Sequence, residues 1–369
     1  MDPTKRWPCV LVIGLAVAHA AVGLAGPLGD ALEMIPGGLT DTVVFFTDWA
    51  GIKRELDLEW VTSDSAEAFR LEIGLRTMED HAAASGFALE RLRDHAEDWG
   101  WDTADLAWEA NVISRELPPA YVLKLRDGFD FAPVAARFVE RGFVQTASYG
   151  AWIFTHDIDT SADWIRTTEL SIHATAHLEE EQLLVLASYP GAVEAFLATR
   201  AGQIPSMRGA PGVIACAQAL ADPLAAMLQS GIGTCLGYTS NPVQDLLGTA
   251  PDDAAIEALR NRLEDGSALL PYQALAVGYR TVEDEPLGTI AFGYVSAEAA
   301  AADLEPRRMI AEHGMSSTYD LPTSETFFTV LDAYAEDRVL ILSVDPAHGQ
   351  PRRLFQMLLY RDAPFAGCS

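Results

Sequence analysis

The chain is poor in lysine. Of its 369 residues only Lys5, Lys53 and Lys124 are lysines, and 25 basic residues in all stand against 53 acidic ones, a net charge of −28. A surface this negative repels phosphate, so nucleic acid and anionic lipid headgroups are excluded as partners. Cationic partners, divalent ions or plain solubility suit it. Cysteine is also scarce, with four residues at positions 9, 216, 235 and 368. Their spacings fit no zinc site. The signatures of catalysis are missing too: no G-x-S-x-G elbow, no phosphate loop and no dinucleotide fingerprint. Beyond the N-terminus no run is long and apolar enough to span a bilayer, and no apolar C-terminal tail signals a lipid anchor.

What is present begins at the N-terminus. Lys5 and Arg6 precede Val10–Ala25, an apolar stretch of signal-peptide length that is short for a membrane span. Ala18-His19-Ala20 and Gly23-Leu24-Ala25 both read as small-x-small cleavage sites. Residues 1–25 are therefore expected to be a signal peptide, or an anchor if left uncleaved. The protein is expected to be exported, either secreted or at the cell surface or periplasm, with membrane contact only through that segment. Export leaves Cys216, Cys235 and Cys368 in an oxidising compartment, where a disulfide is favoured. Cys235–Cys368 is the preferred pair because it would pin the C-terminus. Cys216–Cys235 is the rival, and otherwise Cys216 stays a buried thiol in a helix rich in alanine and leucine.

The most informative feature is a repeat. Leu183–Pro190 (LLVLASYP) matches Val339–Pro346 (VLILSVDP) without gaps, and each is followed by a helical stretch carrying a phenylalanine, Phe196 or Phe355. Upstream, Glu140-Arg141-Gly142-Phe143 matches Glu312-His313-Gly314-Met315. Each closes a helix (131–141 and 297–313) with a glycine placed for a left-handed cap. Strands are expected before each helix, at 121–125 and 289–295. An aromatic strand follows each, Trp152–Thr155 and Phe327–Thr329. Val43–Asp48 aligns with Cys235–Ser240. Helices follow at 65–81 and 88–97 in the first half and at 253–264 in the second, with Ser65 and Asp252 as N-caps. The expected fold is α+β: two similar halves, 26–205 and 206–369, with largely antiparallel sheets and helices packed on one face. Ala201–Gly212, rich in glycine and proline, is the joint.

Several clusters invite a site. His173 and His177 are four residues apart, which on a helix would aim both at one metal. But Leu170–Leu178 alternates apolar and polar, the period of a strand, where four residues span about 13 Å. No metal or other cofactor is expected. Glu179–Glu181 reads as a solvated hairpin turn. The densest stretch is Trp99–Ala110 (WGWDTADLAWEA), with three tryptophans and three carboxylates. Asp102, Asp105 and Glu109 lack the alternating ligands and glycine of a calcium loop, so an exposed acidic turn is expected there. All eight tryptophans lie between residues 7 and 164. Trp152 alternates within a strand and reads as core. Trp99 and Trp101 flank a glycine and read as partly exposed. Trp99, Trp101, Asp102 and Asp105 are therefore the candidate ligand-binding residues, with a protein or glycan as the partner.

The run Trp101–Trp108, followed by the strand Tyr121–Gly128, resembles exported bacterial proteins of unknown function grouped as the DUF3352 type. Those carry a signal or anchor, a "glycine, hydrophobic, aspartate … aspartate-leucine" turn and a following strand. The resemblance covers the first half and implies an exported protein. That family has no established activity, so no catalytic residue carries over. Two functions follow from the sequence. One is an exported, acidic, non-enzymatic binding or interaction protein. The other is a secreted hydrolase, glycan-directed, using carboxylates near the first-half tryptophans.

Overall fold

The computed structural model describes residues 24–80, 96, 99–117, 119–156, 173–231, 257, 261 and 269–368. The expected signal peptide, the helices at 88–97 and 253–264 and the strand at 235–240 lie outside them, apart from isolated positions. So does Cys235.

Among the described residues twelve strands form one antiparallel sheet. The first half contributes β1 (Thr42–Thr47), β2 (Leu106–Ile113), β3 (Ala120–Leu125), β4 (Val144–Ser148), β5 (Ala151–Thr155), β6 (Ala174–Leu178) and β7 (Leu183–Ala187). The second contributes β8 (Ala225–Ser230), β9 (Ala274–Val282), β10 (Glu285–Gly293), β13 (Phe328–Glu336) and β14 (Val339–Pro346). A separate small hairpin pairs β11 (Met315–Ser316) with β12 (Leu321–Pro322). The strand order is β13-β14-β10-β9-β8-β1-β2-β3-β7-β6-β5-β4. At the centre β1 pairs antiparallel with β8, Phe45 opposite Met227. Reading outward from that pair gives β1-β2-β3-β7-β6 on one side and β8-β9-β10-β14-β13 on the other. The same connectivity therefore occurs twice about the central pair, and one sheet runs through both halves.

The helices are α1 (Pro27–Met34), α2 (Trp49–Glu55), α3 (Glu67–Asp80), α4 (Ala132–Glu140), α5 (Pro190–Arg200), α6 (Pro211–Leu220), α7 (Ala297–His313), α8 (Thr323–Thr326) and α9 (Arg352–Leu359). They cover both faces of the sheet rather than the one expected. Alternation along each strand decides this. Val44 and Phe46 face a core shared with Leu32 of α1, Phe196 of α5 and Ala217 of α6. Phe45 points the other way, into the second-half core with Ile310 of α7 and Phe355 of α9. On that same side the first half has its own cluster, where Leu123 and Leu184 meet Trp49 of α2 and Phe138 of α4. Strands buried on both faces, such as β7 (LLVLA, every residue buried), read as unbroken apolar runs.

Several local expectations are met and several corrected. The 297–313 helix and the strands β7 and β14 lie where the sequence match places them. Gly142 has the expected left-handed φ of 86°. Gly314 does not: its φ is −66° and ψ 159°, because the chain leaves α7 extended into β11. Ser65 does not cap α3; its hydroxyl accepts from the Thr62 amide. The strand that stands opposite β1 in the repeat is β8 (Ala225–Ser230), not 235–240. The partner of β13 by sheet position is β6, whereas the aromatic match had pointed to β5. The match failed because short aromatic strands resemble one another.

Candidate functional site

The segment Trp99–Asp105 leads into β2 and, Gly100 apart, is buried, against the expectation of an exposed turn. Trp99 is 7% exposed, Trp101 1%, Asp102 and Asp105 0%. Gly100 makes this possible. Its φ is 83°, and a Cβ there would stand 2.9 Å from the Val134 amide of α4. With no side chain, the backbone turns against that helix and both flanking indoles enter the core. Trp99 packs on Phe138 with ring centroids 5.1 Å apart, and Arg141 lies 4.4 Å above its ring.

The two carboxylates close a one-turn 3-10 helix, Thr103–Asp105, by a capping box. Asp102 accepts from the Ala104 amide at 2.7 Å, and Asp105 accepts from the Asp102 amide at 3.3 Å. Each also meets a cation from elsewhere. Arg70 of α3 donates to Asp102 at 2.6 Å, and Arg126, just past β3, donates to Asp105 at 3.1 Å. The Ser63 amide adds a third donor to Asp105 at 3.2 Å. Lys53 of α2 is buried as well and donates to the Ala104 carbonyl at 2.8 Å. Burial pushes the Lys53 amine down while Asp105 and Asp102 pull it up. Burial likewise raises Asp102, against the Arg70 hydrogen bond. The cluster is thus a polar lock between α2, α3, the 3-10 turn and β3. Its acids are already engaged by donors of the chain itself.

The other expected candidates are placed differently. His177 is in a strand, as its alternation required, and sits 1% exposed among Phe131, Phe138 and Phe154. His173 precedes that strand, bonded through its backbone to Ala187 and His156. Among the described residues no group of His, Cys, Asp or Glu could hold a metal ion. Glu179–Glu181 form the turn between β6 and β7. Cys216 is a buried free thiol, which removes the Cys216–Cys235 pairing. Its neighbours are the carbonyls of Ala274 and Ala291. Cys368 is disulfide-bonded; its partner lies outside the described residues.

The exposed aromatics are others. Trp152, expected in the core, is in β5 but 45% exposed. Trp60 is 57% exposed and meets Phe69 of α3 edge to face at 4.8 Å. Sequence reasoning also missed Lys53, Arg70 and Arg126. The scarcity of lysine was the available signal: Lys53 is buried on the Ala104 carbonyl and Lys124 half-buried on that of Glu181. The second half has a comparable buried lock. Arg307 donates to Asp303 at 2.6 Å and to Tyr294 at 2.7 Å, and its remaining nitrogens reach the carbonyls of Leu270, Phe365 and Gly367.

No family model matches the chain, and no curated protein matches it. Among solved structures it is similar to two crystal forms of TP0453. Form I shares 11% identity at a TM-score of 0.38, over 90% of this chain and 97% of that one. Form III shares 10% identity at a TM-score of 0.35, over 89% and 97%. No helix among the described residues is long and apolar enough to cross a membrane.

Proposed function

We propose that the chain is an exported, acidic binding or interaction protein without catalytic chemistry of its own, built from two halves related by duplication. The observation that carries the reading is the split among the first-half tryptophans. Trp49, Trp99, Trp101 and Trp108 are core, while Trp60 and Trp152 stay about half exposed. Large aromatics left in solvent are characteristic of recognition surfaces. The acids that a glycan hydrolase would have taken from this region, Asp102 and Asp105, are fully buried and ion-paired. A proton donor or nucleophile must reach its substrate. The twice-occurring strand order supports the duplication, and the apolar N-terminal stretch with its two cleavage motifs supports export.

The test is to incubate the purified chain with an extract of envelope proteins and glycans from its own cells. Retention and chemical change are followed on the same samples. Saturable retention that falls in a Trp60→Ala/Trp152→Ala double variant, with every retained species recovered at unchanged mass, is the expected result. Turnover of any component by the wild-type chain would replace this reading with the hydrolase.

A further inference from the structure

Taking the protein as a binding module, as above, we propose that the outer edge of β4 receives an extended, basic segment of another polypeptide as an added strand. The two ends of the sheet are unlike. The β13 edge is guarded: a bulge interrupts its pairing between Val330 and Asp332, and it carries Asp332 and Glu336. Bulges and charges are how sheet edges resist further pairing. The β4 edge has neither. Its five residues, Val144-Gln145-Thr146-Ala147-Ser148, are all exposed, uncharged and in unbroken register with β5. The hairpin is also what the repeat does not account for. It extends the sheet beyond the ten strands that match in order, while its counterpart by sequence position, β11–β12, forms a separate two-stranded piece.

The hairpin geometry says which groups are on offer. Tyr149 and Gly150 have φ of 54° and 74°, a two-residue turn of the kind that fits right-twisted strands. Such a turn closes on a hydrogen-bonded pair, here Ser148 and Ala151. Bonded pairs alternate along an antiparallel ladder, so Thr146 and Val144 also bond inward. The amides and carbonyls of Gln145 and Ala147 then point away from the sheet. Ala147 stands opposite Trp152, and its small side chain leaves that half-exposed indole open to a bulky apolar residue on an added strand.

Charge selects the partner. Arg200 donates to the Tyr149 carbonyl and to Glu181, which brings the acidic β6–β7 turn beside the β4–β5 turn. Glu179 and Glu180 are exposed there and make no ion pair among the described residues. A strand added past Ser148 ends on the side of the sheet where those carboxylates stand, so arginine or lysine suits that end. A second copy of this chain would set a net charge of −28 against itself, which disfavours pairing of β4 with β4.

The probe is a synthetic peptide of about ten residues alternating valine and arginine, compared with a backbone N-methylated peptide of the same composition. Binding is measured by isothermal titration and amide exchange on the full exported chain. The expected result is saturable binding with slowed exchange at Gln145 and Ala147. Ala147→Pro should weaken it at least about tenfold, since proline there removes an outward donor and spares the inward ladder. Glu179→Gln/Glu180→Gln should weaken it about threefold to tenfold, from two surface charge pairs. The melting temperature of each variant checks that it is folded; should Ala147→Pro unfold, Ala147→Lys is used, which repels the same peptide. Equal binding of the N-methylated peptide, or unchanged binding by a folded edge variant, overturns the proposal. So does concentration-dependent dimerisation lost in that variant, because the occupant is then a second copy. Binding that persists at Trp60 while β4 stays silent sinks the edge assignment and leaves the binding-module reading standing.

Discussion

His177 faces Phe154 across the β5–β6 pair with ring centroids 4.5 Å apart, and neither of its ring nitrogens has a hydrogen-bond partner. Phe131 and Phe138 close two further sides at 5.7 and 5.6 Å. A charged imidazole is strongly disfavoured in such a box, and burial pushes His177 down to about 3.

That shift makes stability depend on acid. The folded-state value lies below the ordinary 6.5, so the fold holds a neutral ring while the unfolded chain gains a proton below 6.5. The stabilisation is fully present above pH 6.5 and is lost as pH falls towards 3. At pH 5 the loss is about 2 kcal/mol relative to neutral pH. Urea unfolding of wild type and His177→Leu at pH 7 and pH 5 checks it. Wild type should lose that amount more than His177→Leu does on acidification, because leucine has nothing to titrate.

Asp102 and Arg70 make a second, separable claim. The carboxylate is fully buried and Arg70 is 14% exposed. Asp102→Ala removes the capping acceptor and leaves both the guanidinium and the Ala104 amide unmatched. The expected loss is about 3 kcal/mol, the scale for breaking one side of a buried pair. Arg70→Ala should cost less, since its site opens to water. In the double variant the losses should fall short of their sum by more than about 1 kcal/mol. Additive losses would mean that the pair is not coupled.

These features were unevenly legible in the sequence. Strand and helix order came through where apolar runs were long, as in β7 and β14, and where alanine is dense, as at the start of α7. Local pattern also showed that Trp152 alternates in a strand. It could not show that on this face of β5, where Phe154 is covered by Phe138 of α4, the Trp152 indole stays half exposed. The reverse failure befell Asp102 and Asp105. Carboxylates in a turn read as solvated, and their burial depends on Arg70 and Arg126, more than twenty residues away on either side. Helices on both faces were hidden for a related reason. Alternation marks two faces but not which layer covers each.

The reassigned tryptophans give a direct comparison. Trp101 is 1% exposed within the first-half core, and Trp101→Ala should cost about 3–5 kcal/mol. Trp152→Ala should cost under about 1 kcal/mol, as a surface change. Thermal melts of the two variants should separate clearly, with Trp152→Ala near wild type. A large loss at Trp152 would place its indole under cover and remove it as a recognition residue.

The contacts of Leu24 bear on processing. Leu24 belongs to the core cluster at 9% exposure, and its carbonyl accepts from Arg208 at 2.8 Å. Arg208 in turn pairs with Glu33 of α1. Cleavage after Ala25 would strip out Leu24 and leave one guanidinium donor without its acceptor. Cleavage after Ala20 keeps both and leaves three residues, Ala21, Val22 and Gly23, ahead of the core leucine. Export should therefore release a chain beginning at Ala21, read as an intact mass on the secreted or periplasmic protein. A chain beginning at Gly26 would show that Leu24 is dispensable. Its melting temperature would then match that of the longer form beginning at Ala21, obtained with Ala25→Leu, which blocks the downstream site.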